Sequence, residues 1–287
     1  MTYETYDSNP LFKKKKKKLE KLAVTTSPAL FTVESIVKAA QDAIVADQLV
    51  QEIDIDTPSE SVKIPLESLG SATLSATEVT NTGFADIGGA SCTYSTIGPF
   101  QFIQDAKFWG KTEIDDFPMD VLDWQMDAMG RNCAKIYNTM VIGLFADETN
   151  MIVESTISLG GSTLLWAIID AASDVQDAGY EADTVLLSPA SYADLLKDTT
   201  FTSTLYIGEP GLRSAVSSLL GLKFVVSGAA SDTKVHVFDS KVAAKAAWRN
   251  RFASEPVEIA GTYGAYIKGR VAVKLVKPQA VAVIEIA

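Results

Sequence analysis

Apolar positions recur along this chain in two periods, and they divide it into segments. From Thr32 the pattern is helical: Val33, Ile36, Val37, Ala40 and Ile44 fall on one stripe. Thr32 is the expected N-cap, and the helix is expected to end near Asp47–Val50. Val62, Ile64 and Leu66 then alternate as in a strand. Phe100, Phe102 and Ile103 lead into a strand-like segment through Ile114. Asp115-Asp116-Phe117-Pro118 reads as a helix start, with Asp as cap and Pro in the first turn. Leu122, Met126, Met129, Cys133, Ile136, Met140 and Leu144 follow at helical spacing. They predict a helix over 118–145, ~42 Å long at ~1.5 Å per residue. Its stripe places Met126, Met129, Cys133 and Ile136 on the buried face.

Beyond residue 160, helix and strand patterns alternate. Ser162 opens a helix carrying Leu165, Ile168, Ile169 and Ala172, which stops at Gly179. Val185–Leu187 is a short buried strand, and Ser188-Pro189 begins another helix. A Thr- and Gly-rich loop (199–211) precedes Leu212–Leu220. Lys223–Ser227 and Val235–Phe238 then read as strands. Strand patterns resume at Val257, alternate through Val271, Val273 and Leu275, and close with Ala280–Ile286.

One stretch fits neither period. Over residues 68–99, Ser, Thr, Gly and Ala fill 20 of 32 positions, so the stretch cannot build a core of its own. Its β-branched residues and the absence of strong charge also argue against disorder. A long two-stranded arm fits best, and at about 18 residues each way it reaches roughly 60 Å.

Composition narrows the function. The chain has 287 residues, of which 47% are hydrophobic, enough for one large domain or two. With two Cys and one His there is no four-ligand zinc site, no disulfide scaffold and little His-based catalysis. Cys92 and Cys133 are expected to be reduced thiols. The net charge is −11, but residues 1–22 hold seven Lys against Glu4, Asp7 and Glu20, leaving a net −15 on residues 23–287. Such a body is a poor general nucleic-acid binder. The run Lys13, Lys14, Lys15, Lys16, Lys17 and Lys18 has three readings: a solvated tail, a contact with packaged nucleic acid, or a partner-binding extension. No apolar run approaches the ~20 residues of a membrane span, and the Lys run leads into no apolar signal core. The chain is therefore expected to be soluble, made in the cytoplasm, and without a membrane partner.

The candidate chemistry is thin. Gly110-Lys111-Thr112 resembles the end of a phosphate loop, but Asp105 stands where the first Gly is needed, and Phe108 and Trp109 where small residues are needed. His236 sits in a strand pattern with no Ser or Cys nucleophile beside it. Asp115 and Asp116 read as caps, and Asp54 and Asp56 as the solvent face of a strand. The expectation is no catalytic, cofactor or metal site.

Several local stretches resemble the major capsid protein of tailed bacteriophages and related archaeal viruses, which has the Hong Kong 97-type fold. They are Val62–Pro65, Lys107–Ile114, Asp120–Gly143, Leu187-Ser188-Pro189 with Tyr192, Leu195 and Leu196, Leu219–Ser227, and Arg270–Val281. The resemblance covers about residues 30–287. It implies an α+β fold with an N-terminal arm, an extended β-hairpin loop, a peripheral domain around a long spine helix, and an axial α/β domain. The expected bounds are 1–30 basic arm, 31–60 N-terminal helix and lead-in, 61–98 extended loop, 99–159 peripheral domain, 160–252 axial domain and 253–287 closing strands. It also implies hexamers and pentamers in an icosahedral virion shell around double-stranded DNA, with scaffolding, portal and decoration proteins as partners. Some relatives cross-link subunits through a Lys in the extended loop. Lys63 lies in that region, but no matching Asn motif accompanies it. An encapsulin-type compartment is the alternative within the fold, although the helix at 32–48 is unlike the cargo-binding helix of encapsulins. A soluble α/β enzyme is the alternative of another class.

Overall fold

The computed structural model describes residues 28–56, 60–65, 94–110, 119–146, 149–153, 156–158, 163–197, 221–259 and 262–287. The Lys13–Lys18 run, the Asp115/Asp116 cap, Lys111 and Thr112, Ser162, the 199–220 segment and most of the 68–99 stretch lie outside the described residues. The chain divides into two compact units.

The first unit takes residues 1–45, 102–139 and 250–271. Helix α1 spans Pro28–Ala43, starting five residues earlier than the Thr32 cap implied, so Thr32 lies within it. Helix α2 spans Met119–Gly143. The two helices touch where α2 has no side chain. A Cβ on Gly130 would overlap the Ile36 carbonyl oxygen and stand 2.9 Å from the Ala40 amide nitrogen. A second tie lies two turns on, where the Asn138 side chain accepts from the Val45 amide at 3.0 Å and donates to the Ala43 carbonyl at 3.1 Å. These two ties fix which face of α2 is inward. Met126, Met129, Cys133 and Tyr137 are buried, whereas Ile136 is 51% exposed. The expected stripe is thus corrected by one position, with Tyr137 taking the place assigned to Ile136.

Beside these helices lie strand β4 (Gln101–Gly110), most of β9 (Ala244–Ile259) and most of β10 (Thr262–Leu275). Strand β10 lies between β4 and β9, and β9 also pairs with β1 (Gln51–Asp54) in the order β1-β9-β10-β4. The length of β9 is a further departure from the sequence reading, which began strand structure only at Val257. Its first half is Ala-rich, yet Lys245–Trp248 is paired with β1 in parallel register. Pro256, which cannot donate to a ladder, lies beyond that pairing, which ends at Trp248.

The second unit takes residues 46–101, 140–249 and 272–287. It holds a mixed five-stranded sheet, ordered β5 (Ile152–Val153), β11 (Val281–Glu285), β8 (Lys234–Phe238), β6 (Thr184–Leu187) and β7 (Lys223–Val226). β11 runs antiparallel to β8 and parallel to β5, and β6 runs parallel to β7. Helix α3 (Thr163–Asp177) buries Leu164, Leu165, Ile168, Ala171 and Val175 in a core shared with Val185, Val235, Val237 and Ile284. Gly179 ends its run at φ 88, the left-handed conformation that glycine adopts freely. Helix α4 (Pro189–Leu196) begins as the sequence implies. Ser188 Oγ accepts from the Ser191 amide at 3.2 Å, and Pro189 occupies the first turn.

Candidate assembly surfaces

Of the residues weighed for chemistry, His236, Asp54, Asp56 and Gly110 fall within the described residues. His236 is buried on β8, and its Nε2–H donates to the Phe145 carbonyl at 2.9 Å, with the ring tilted against the Phe145 ring. A carbonyl can only accept, so this contact fixes the proton on Nε2. Asp54 and Asp56 are exposed on either side of buried Ile55, as the alternation implied. Gly110 is the last residue of β4. Cys133 is buried on α2, and desolvation, followed by the negative charge of Asp105, pushes its thiol up to about 12. No cluster of His, Cys, Asp and Glu suited to a metal ion occurs among the described residues. No described helix is long and apolar enough to cross a membrane.

The informative geometry is at the root of the 66–93 segment. Strands β2 (Val62–Pro65) and β3 (Tyr94–Ile97) pair antiparallel, with Val62 opposite Ile97 and Pro65 opposite Tyr94, so the chain leaves and re-enters at one place. Ile64 and Ile97 point inward from this stem and are buried with Ile55, Phe100, Ala247 and Ala272. Lys274 on β10 extends its Nζ to the Thr96 carbonyl at 2.9 Å. Gly98 closes the stem at φ +149, where a Cβ would stand 2.9 Å from the Glu60 carbonyl oxygen and 2.9 Å from the Ser61 Cβ. The 28 residues between Pro65 and Tyr94 therefore spring from a fixed mount within the second unit. The alternation of Val62 and Ile64 made this stem legible. The grip of Lys274, 178 residues from Thr96 in sequence, had no local signal.

Several large apolar side chains face solvent, the residue type that subunit contacts cover. In the first unit they are Phe102, Phe108, Trp124 and Ile136, with Phe102 62% and Trp124 64% exposed. The Arg270 guanidinium lies 4.9 Å from the Phe102 ring centroid. Phe108 lies across Gly264 of β10, where a Cβ would stand 2.5 Å from the ring. In the second unit they are Tyr94 on the stem, Val153 on the short edge strand β5, and Trp166 on α3. Trp166 is 59% exposed although the adjacent Leu165 is buried.

Comparison with known proteins places the chain in a family. A profile described as phage capsid protein matches residues 107–284. No curated protein sequence is significantly similar to the chain. Among solved structures, a virus-like particle from Pyrococcus furiosus superposes with a TM-score of 0.64 at 10% identity, covering 88% of this chain and 97% of its own. The capsid of the cyanophage P-SCSP1u gives 0.62 at 14% identity, covering 83% and 86%. A structure from Mycobacterium phage Adephagia gives 0.59 at 16% identity, covering 85% and 90%. At these identities the likeness shows a shared fold, the α+β arrangement of Hong Kong 97-type capsid subunits.

Proposed function

We propose that this chain, which belongs to the phage capsid protein family, is the major capsid protein of an icosahedral shell and assembles as hexamers and pentamers around double-stranded DNA. Residues 66–93 reach from their mount on one subunit to the surface of the next. The first unit serves as the peripheral domain, with α2 as its spine, and the five-stranded sheet with α3 and α4 serves as the axial domain. The role is structural and involves no catalytic step.

The observation that carries this reading is the stem. It is pinned by buried Ile64 and Ile97, and it presents a Ser-, Thr-, Gly- and Ala-rich segment too poor in apolar residues to pack on its own. A segment of that composition gains stability against a second surface, and a neighbouring copy supplies one. A scaffolding protein, a portal and a decoration protein complete the partner set, with synthesis in the host cytoplasm before incorporation into the virion.

The test is deletion of residues 66–93 with a short Gly-Ser bridge between Pro65 and Tyr94. The expected variant is folded and soluble, and sediments as subunits or capsomers. Closed shells of the deletion variant in electron micrographs would refute the reading. A second reading within the fold, a compartment holding protein cargo, is favoured by the net −15 of residues 23–287. The nucleic-acid content of purified particles separates the two, since cargo shells should carry protein and little DNA.

A further inference from the structure

From the exposed surface of α2 we infer that this helix pairs antiparallel with the α2 of a second copy across a two-fold axis. The inference rests on the reading that copies of this chain build a shell. Burial along α2 repeats every four residues. Buried pairs stand at 129/130, 133/134 and 141/142, and exposed pairs at 123/124, 131/132 and 135/136, with 127/128 half-buried in the same phase. The accessible surface therefore consists of two adjacent i, i+4 rows that run obliquely along the helix, all within the first unit. One row is charged and changes sign at its middle: Asp123, Asp127, Arg131 and Lys135. The other has a large exposed apolar side chain at each end, Trp124 and Ile136, with the shorter Ala128 and Asn132 between them.

Turned end for end, this surface complements itself. A two-fold contact sets residue i against j and j against i. Asp123 then faces Lys135 of the second copy, Asp127 faces Arg131 of the second copy, and each Trp124 meets an Ile136. Ala128 and Asn132 at the centre let the two helices approach.

The ordinary roles of such charges do not account for the pattern. The helix macrodipole acts on the first and last turns. Asp123 and Asp127 lie past the first turn of Met119–Gly143, and its last turn holds no basic residue. Asp127 and Arg131 are spaced to pair along the helix, yet none of the four charged side chains forms an ion pair among the described residues. A polyanion or a polycation would suit only half of the row. A second copy fits the whole of it.

The experiment changes the row from both ends. Asp123→Lys with Asp127→Lys makes it all basic, and Arg131→Glu with Lys135→Glu makes it all acidic. The unaltered chain, each variant and their equimolar mixture are compared by thermal unfolding of unassembled subunits, by sedimentation and by the yield of closed particles in electron micrographs. Each variant alone sets like charges together across the axis, so its closed-particle yield should fall at least about tenfold. The mixture, in which basic rows meet acidic ones, should regain most of that yield. Normal yield from either variant alone overturns the pairing. A mixture of folded variants that stays unassembled also overturns it, because α2 would then face a different surface. Where a variant loses more than about 5 °C in Tm, the fourfold exchange Asp123→Lys, Asp127→Arg, Arg131→Asp and Lys135→Asp takes the place of the mixture. It reverses the row but keeps it self-complementary, so it should assemble alone, and its failure while folded overturns the pairing. Absence of closed particles from the unaltered chain instead overturns the shell reading. The pairing then stands if the mixture sediments as dimers that neither variant forms alone, and falls if it does not.

Discussion

Gly130→Ala sets helix propensity directly against packing, and the two terms have opposite signs. Alanine in a helix interior is favoured over glycine by about 1 kcal/mol. At Gly130 the new methyl would overlap the Ile36 carbonyl oxygen, stand 2.9 Å from the Ala40 amide nitrogen and 3.1 Å from the Ala39 Cβ. The first two are backbone atoms of α1, so relief requires the helices to part by about 1 Å toward ordinary contact distance. Ile36 and Ala40 are fully buried. A gap of that size forfeits a quarter to a half of each affected contact, and overpacking of this kind costs about 1–3 kcal/mol. The expected net effect is destabilisation by up to about 2 kcal/mol, read as a lower urea midpoint of unassembled subunits by circular dichroism. Gly143→Ala is the internal control. It lies on the same helix with nothing within 4 Å of a new Cβ, so its midpoint should be unchanged or raised. A Gly130→Ala variant that is stabilised as much as Gly143→Ala would mean that propensity decides, and that α1 is not seated on Gly130.

Three further outcomes follow from single residues. Tyr137→Ala should cost about 3–5 kcal/mol, as truncation of a fully buried aromatic does, while Ile136→Ala at the next position stays within about 0.5 kcal/mol; equal costs in denaturant titrations would contradict the assignment of faces. Ser188→Ala should lower stability by about 1 kcal/mol through loss of the α4 cap, and a neutral result would discount the Ser188–Ser191 hydrogen bond. Cys133, raised from 9.0 to about 12, keeps its proton in the fold where the unfolded chain loses it. Its stabilising contribution should therefore be complete below pH 9 and decline from pH 9 toward 12. In a Cys92→Ser background the native protein should not react with a thiol reagent at pH 8, and rapid labelling without unfolding would place Cys133 at the surface.

The sequence by itself determined the features whose causes are local. Ser188-Pro189 encodes a cap and a first turn within a few residues, and Gly179 supplies the left-handed residue that ends α3. The Val62/Ile64 alternation marks a one-sided strand, and the Cys- and His-poor composition leaves no four-ligand Cys/His zinc set and little His-based chemistry. The order of these elements was enough to suggest the capsid fold. Tertiary structure decided what depends on distant partners. Spacing alone makes Ile136 and Tyr137 nearly equivalent choices for one edge of the α2 stripe. The choice fell to Tyr137 because α1 abuts Gly130 and the end of α1 is tied to Asn138, which turns Ile136 outward. The Ala-rich start of β9 has the local preference of a helix, and it is extended because β1 pairs with Lys245–Trp248. The Lys274–Thr96 hydrogen bond spans 178 residues of sequence and ends on a backbone carbonyl, a group every residue carries, so no side-chain pattern could mark its partner.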